Sequence, residues 1–276
     1  MASDTEIAKL IAHIAACHTA ELPGGRLPLY AGADLIGYLK PDFAAGLAAI
    51  EPGVRVGSGR VEMAPALLPR MNALAAAMGI ATRAENFDVK ADAEGPSLAV
   101  LDRGALPRFG VIGVGVHMNG LVRRADGLHL WVARRAADKK LDPGKLDHLV
   151  AGGVPAGYTP FAALVKEAEE EAGLPEEMAA QARLVTVFKY NMERPEGLRR
   201  DVLYAYDLEL PEDFAPHPMD GEVESFELWP LARVAEVLSR TDEFKFNVAL
   251  VLIDLLLREG FYTGAAAARL RAALGG

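Results

Sequence analysis

One stretch of the chain limits what the rest can be: Gly152-Gly153-Val154-Pro155-Ala156-Gly157-Tyr158, then Thr159 to Val165, then Lys166-Glu167-Ala168-Glu169-Glu170-Glu171-Ala172-Gly173-Leu174. Thr159 followed by Pro160 is a helix start, because proline at the first helical position gives up only a donor that would lack a partner there. A helix from that point sets Glu167, Glu170 and Glu171 at i, i+3 and i+4, so their carboxylates share one face, while Glu169 points elsewhere. Like charges so placed repel by about 0.2–0.5 kcal/mol per pair. A hard divalent cation that takes oxygen ligands relieves that repulsion. A solvated acidic helix face is the plain alternative. The Gly-rich turn expected over 151–157 favours the cation, since it permits close backbone approach and offers carbonyl or N–H groups beside the carboxylates.

The surrounding composition is that of a folded protein. The chain has 276 residues, 51% hydrophobic and 24% charged, which excludes disordered and collagen-like classes. Its net charge of −9 argues against a broad nucleic-acid surface, which needs a basic footprint. Residues 1–110 hold 10 basic and 12 acidic groups and residues 111–276 hold 19 and 26, so the second part carries the excess. A single cysteine, Cys17, forms no internal disulfide and reads as a buried helix residue. Asp4, Glu6 and His13 spoil any signal-peptide reading of the residues before it. The apolar run Val248 to Leu257, interrupted by Asp254, is too short for a membrane span. A soluble, cytoplasmic protein is expected.

Helical spacing over 4–18 predicts an opening helix, broken by Pro23-Gly24-Gly25. Short apolar segments follow around 35–39, 54–56 and 61–63, then a helix over 65–78 and a strand over 98–101. Gly57-Ser58-Gly59 has no Lys-Ser/Thr helix start after it and is not a phosphate loop. From Phe109 the texture changes: strands over 111–116, 121–122 and 128–132, with Asp126-Gly127 as a hairpin turn. A charged loop (136–148), the glycine turn and the acidic helix come next. Further strands are expected at 184–188, 202–208 and 224–228, then helices at 231–239 and 247–259. The expected division is an N-terminal α/β unit (1–108), a second domain (109–264) and a helical tail (265–276), in an α+β chain.

The Gly152–Leu174 segment resembles the Nudix box: Gly, five residues, Glu, seven residues, Arg-Glu-apolar-x-Glu-Glu-x-Gly-apolar. Gly152, Glu167, Ala168, Glu170, Glu171, Gly173 and Leu174 occupy its positions. The resemblance implies a Nudix αβα sandwich that binds Mg2+ or Mn2+ and cleaves a diphosphate linked to another group. It implies Glu167, Glu170 and Glu171 as metal ligands, with the Gly152 carbonyl as a further one. Two positions depart from the pattern: Tyr158 stands for the loop Glu and Lys166 for the Arg. In the family those two places brace the loop against the helix. A lysine is no substitute for a planar arginine fork, so these changes bear on the loop, whereas the metal carboxylates remain. Flanking segments, among them Phe109-Gly110, Gly115 to Gly120, Trp131 to Arg135, Asp220 to Phe226 and Phe244 to Asn247, resemble the Nudix subfamily fused to thiamine pyrophosphokinase in fungi and free-standing in plants and bacteria. Leu35 to Tyr38 and Asn86 to Val89 resemble its N-terminal domain of unknown function. The kinase itself is absent. Members of that group are associated with thiamine diphosphate or its damaged analogues.

Other candidates surround the box. Arg134, Arg135, Lys139, Lys140 and Lys145 form a basic stretch that could face phosphate, or else a solvated loop. Glu222 lies before a strand, where the family often places another acid; it and Glu170 are the candidate bases for activating a water. His117 and His148 could assist, though isolated histidines are more often structural. Trp131 and Phe188 could stack on a heteroaromatic substrate, though core packing is the commoner role for strand aromatics. The expected partner is a small-molecule diphosphate, with neither nucleic acid nor membrane. Two other functions stay open: a nucleotide-type pyrophosphatase for ADP-ribose, a dinucleotide or a nucleotide sugar, and a ligand-binding module that has lost turnover.

Overall fold

A computed structural model describes residues 3–139 and 141–275. Helix α1 (Asp4–Ala16) starts on a capping box: Glu6 N–H donates to Ser3 Oγ and Ser3 N–H donates to Glu6 Oε2. Then come β1 (Leu27–Ala31), β2 (Asp34–Leu39), α2 (Pro41–Ile50), β3 (Val54–Gly57) and β4 (Arg60–Met63), which form a small sheet in the order β2-β1-β4-β3. The helix expected over 65–78 is two pieces. A 3-10 segment runs over Pro65–Arg70, and α3 (Met71–Ala77) follows it. Pro69, inside the first piece, has no N–H to continue an α ladder. A two-stranded ribbon, β5 (Asn86–Val89) with β6 (Ala99–Asp102), and the short α4 (Leu106–Phe109) complete this part.

The larger sheet has β7 (Ile112–Arg124), β8 (Gly127–Arg135), β11 (Arg183–Arg194), β12 (Gly197–Glu209) and β13 (Val223–Pro230) in the order β11-β12-β7-β8-β13. β9 (Leu146–Asp147) pairs with β8, and β10 (Val150–Gly153) pairs with β7. β12 runs parallel to β7 and the other pairings are antiparallel. Two expectations change here. The segments 111–116 and 121–122 are one strand, because buried His117 and Asn119 carry it through the polar middle. The expected glycine turn begins as strand β10, its glycines paired with Val116 and Gly115 of β7.

Each face of this sheet carries helices. α5 (Pro160–Ala172) and α6 (Glu176–Ala179) cover one, packing Ala163, Leu164, Ala168 and Ala172 on Val116, Met118 and Tyr204. α7 (Leu231–Arg240), α8 (Val248–Arg258) and α9 (Gly264–Leu274) cover the other. α8 is apolar nearly all round and is buried nearly all round, so it forms the centre of that layer. α1, although first in the chain, packs there too, with Ile7, Leu10, Ile14 and buried Cys17 in the same core as α7, α8 and α9. Residues 27–111 have a separate core around Phe43, Leu47, Met71 and Phe109. The result is a mixed α+β chain with an αβα sandwich and an N-terminal α/β region. No helix among the described residues is long and apolar enough to cross a membrane.

The two parts meet at a close backbone crossing. Gly110 has φ +58°, and a Cβ there would overlap the Tyr38 carbonyl of β2. Gly110→Ala should therefore lose at least about 2 kcal/mol, from left-handed strain plus the overlap. Urea unfolding of the variant measures this.

Candidate functional site

A cavity of about 760 Å3 opens where the N-terminal part meets the sandwich, within the usual range for small-ligand sites. Gly113, Gly115 and His117 of β7 and Ala151, Gly152 and Gly153 of β10 line it. Glu167 and Glu170 of α5, and Glu222 from the loop before β13, line it as well.

The acidic helix forms as its caps predict. Thr159 Oγ1 accepts from Ala162 N–H at 3.1 Å, Pro160 opens the first turn, and Gly173 at φ +61° ends it. Its three glutamates differ in burial. Glu171 is only 5% exposed and accepts a 2.9 Å hydrogen bond from Ala151 N–H. Glu167 lies against Gly152, where a Cβ would come 2.6 Å from its carboxyl carbon. The first glycine of the box thus clears room for the helix's own carboxylate. Glu170 is exposed and paired with Lys166 four residues earlier. Glu222 pairs with Lys139.

Burial pushes the Glu167 carboxyl up to about 7; Lys166 opposes the shift, while Glu170, Glu222 and Glu85 add to it. Burial also lifts Glu171 well above the carboxylate range, against the Ala151 hydrogen bond. Among the described residues Glu167 accepts no hydrogen bond, and its nearest cation, Lys166 Nζ, is 4.0 Å away. A half-buried carboxylate with acidic neighbours and no donors is a poor resting place for charge. An all-oxygen set of this kind suits a hard divalent cation such as Mg2+ or Mn2+.

Tyr158 and Lys166, expected to brace the loop, are not hydrogen-bonded to each other among the described residues. Lys166 pairs with the acids of its own helix. β5 holds the loop instead: Ala156 N–H donates to the Asn86 carbonyl at 2.8 Å, and Gly157 N–H to Asp88 Oδ2 at 3.2 Å. Tyr158 sits beside β5 in a small cleft with Phe87 and Asp88.

The basic stretch divides. Lys139 and Arg135 reach the cavity. Arg135 is already committed to Asp147 at 2.9 Å and to the Leu141 and Asp142 carbonyls. Arg134 donates to the Gly144 carbonyl and Lys145 to that of Asp242, and neither lines the cavity. Successive residues of a strand face opposite sides, which separates Arg134 from Arg135. Lys140 lies outside the described residues. Trp131 and Phe188 pack with the two sandwich cores rather than on the cavity.

His117 and His148 are not isolated. Their Nδ1 atoms are 2.7 Å apart, and with Asp147 they form a buried group of the size that holds a metal. Asp147, however, already binds Arg135 at 2.9 Å and Lys245 at 3.2 Å. Burial favours the neutral forms of both imidazoles, with Lys245 lowering both further, and brings His148 down to about 4. A dication added there would bring a third positive centre to one carboxylate, so the glutamates around Gly152 are the better cation site.

Several lining residues were not candidate site residues in the sequence. Arg83, Glu85, Phe87 and Arg103 come from the N-terminal part, and Tyr190, Arg194, Arg199, Lys245, Phe246 and Asn247 from the far wall. The 86–89 and 244–247 segments stood out by resemblance, yet nothing in their local spacing showed that they face this cavity.

A glycine strand thus makes room for a helix glutamate, and two further carboxylates line the same cavity. Residues 115–249 match the family model described as the NUDIX domain. The chain is 49% identical over 179 residues to "Nudix hydrolase 20, chloroplastic" of Arabidopsis thaliana, covering 65% of this chain and 48% of that protein. It is 46% identical over 178 residues to "Nudix hydrolase 24, chloroplastic" of the same plant, covering 64% and 49%. The chain thus spans about half the length of the curated relatives it matches. A solved Deinococcus radiodurans structure aligns at 23% identity, over 61% of this chain and 97% of that one, with a TM-score of 0.46. The chain carries a Nudix domain, and Nudix hydrolases are its homologues.

A pH dependence follows from Glu167. Its folded pKa is above the unfolded value of 4.5, so without cation it binds more protons folded than unfolded. Stability from this group is lost as pH rises from 4.5 through about 7. A divalent cation needs the ionised form and should stabilise more at pH 8 than at pH 6. At one hundred times its Kd, a cation bound only by the folded state adds about 2.7 kcal/mol, roughly 5–10 °C in Tm for a chain of this size. Thermal unfolding with Mn2+ at both pH values checks this, and Glu167→Gln should remove most of the difference.

Proposed function

We propose that this protein is a divalent-cation-dependent hydrolase that splits a diphosphate joined to another moiety. The observation that carries the reading is that Glu167, set against Gly152, shares one cavity wall with Glu170 and Glu222, with Glu171 buried behind. Glu167, Glu170, Glu171 and the Gly152 carbonyl would hold Mg2+ or Mn2+. When bound, that cation neutralises diphosphate charge and acidifies a water. Glu171, fixed by the Ala151 N–H, holds α5 in register with β10. Glu170 and Glu222 stand at the cavity surface, where either can take a proton from the attacking water. Lys139, paired with Glu222, presents a cation to the substrate from the same side.

Thiamine diphosphate or a damaged analogue is the substrate suggested by the resemblance to the pyrophosphokinase-fused group. The far wall favours a second reading. Arg194 and Arg199 stand 5.3 and 5.6 Å from the centre of the Phe246 ring, and Lys245 lies beside them on the wall. Guanidinium planes and cations of this kind suit a nucleotide base or a second anion better than a positively charged ring. A nucleotide-type substrate such as ADP-ribose is therefore the alternative, and a module that binds without turnover is the third possibility. We propose work in the cytoplasm from the single unpaired cysteine; the two plant relatives are named as chloroplastic.

A substrate panel with Mg2+ separates these readings. Release of phosphate from thiamine diphosphate supports the first, AMP formation from ADP-ribose the second, and binding without product the third. Glu167→Gln should lower kcat at least about a hundredfold, since it removes a charged group from the reacting centre, while the far-ultraviolet circular dichroism stays unchanged. Wild-type turnover in that variant overturns the assignment. Comparing Glu170→Gln with Glu222→Gln identifies the base, as the larger loss of kcat at unchanged KM.

A further inference from the structure

The N-terminal part contributes charge to the cavity in a fixed position. Asp102 accepts from Thr82 Oγ1 at 2.6 Å and from the Arg83 and Gly104 backbone N–H groups at 2.9 and 2.8 Å. One carboxylate thus ties together the two backbone segments that bear Arg83 and Arg103. The Arg103 guanidinium lies over the Phe87 ring, 5.7 Å from its centre, and donates to Glu85 Oε2 at 2.8 Å. Phe87 is buried and fills the space a side chain at Gly153 would need. Contact therefore runs from Arg103 through Phe87 to Gly153, and Gly152 beside it meets Glu167. Arg83 is exposed, lines the same cavity and has no ion-pair partner among the described residues.

We propose that Arg83 and Arg103 form a diphosphate-binding subsite, so that the substrate is held between the N-terminal part and the sandwich. This rests on the hydrolase reading and adds to it a role for the N-terminal part. A diphosphate brings more negative charge than one dication on three carboxylates can balance. The two guanidiniums take its non-bridging oxygens from the N-terminal wall of the cavity that Glu167 also lines, as planar donors that match phosphate geometry. Glu85 holds Arg103 aimed until the anion arrives. Arg83, uncommitted, meets the anion directly.

The test uses the full chain and inorganic pyrophosphate with Ca2+, read by calorimetry, so that turnover is not required. Arg83→Gln and Arg103→Gln should each weaken binding about tenfold, and Arg103→Lys should recover part of the loss. Arg83→Gln should leave Tm unchanged, because its guanidinium makes no hydrogen bond or ion pair among the described residues. Wild-type affinity in both glutamine variants overturns the subsite, as does a wild-type chain that fails to bind pyrophosphate. Weakened affinity in the variants, in a chain that hydrolyses no diphosphate, keeps the subsite and overturns the hydrolase. Unchanged affinity in a chain that Glu167→Gln inactivates does the reverse.

Discussion

Glu167 occupies the volume that a side chain at residue 152 would fill, and its carboxylate is half-buried there without a hydrogen-bond donor among the described residues. Much of the surrounding structure can be read as a response to that placement. Glu171 lies one turn further along α5 and fixes the helix to the strand through the Ala151 N–H. Glu170, at the solvent edge, is neutralised by Lys166. Glu222 approaches from another loop and is neutralised by Lys139. Glu170 and Glu222 each have a close lysine and Glu171 has the Ala151 N–H, whereas Glu167 has only Lys166 at 4.0 Å, so the least compensated acid is Glu167. An oxygen-seeking cation meets the strongest demand at that point.

The sandwich alone does not enclose this site. β5 supplies the carbonyl and carboxylate that hold Ala156 and Gly157, and Phe87 closes the space beside Gly153. The loop brace expected of Tyr158 and Lys166 is thus replaced by contacts from a different part of the chain. That explains how Lys166 can turn to Glu170 without freeing the loop. It also couples the two parts: a change that shifts β5 would move the glycine strand, and through Gly152 the position of Glu167. The close crossing at Gly110 and Tyr38 serves the same end, fixing the N-terminal part on the sandwich at one side of the cavity.

What could be read in the sequence was whatever is encoded locally. The acidic helix, its caps and its glutamates follow from the 3.6-residue period and from Thr159, Pro160 and Gly173. The Asp126-Gly127 hairpin and the apolar α8 are local in the same sense. The glycine segment was harder, because glycine permits a turn and a close-packed strand alike. Only the pairing of Gly152 with Val116 decides between them. Pairing also carries β7 through His117 and Asn119, polar residues that break the apolar pattern but are buried between packed layers. The histidines and Arg103 were the least legible. Their partners lie tens of residues away, and no periodicity links Arg103 to Phe87 or His117 to His148.

The acidity of the chain takes on a different meaning at this cavity. Net charge of −9 would repel a diphosphate from an averaged surface. At the cavity, Arg83, Arg103, Arg135, Lys139, Arg194, Arg199 and Lys245 stand among the lining residues alongside the glutamates. Several of these cations are spent on protein carboxylates: Arg135 and Lys245 on Asp147, Lys139 on Glu222, Arg199 on Asp201. Arg83 is the exception, with no ion pair among the described residues, and Arg194 holds its two acids only at 3.8 and 3.9 Å. Available positive charge therefore lies at the N-terminal wall and the far wall, while unbalanced negative charge lies at Glu167. An anionic substrate is drawn to the walls and a cation to the glutamate. The cleft can thus bring the two together in one cavity while the molecule as a whole remains acidic.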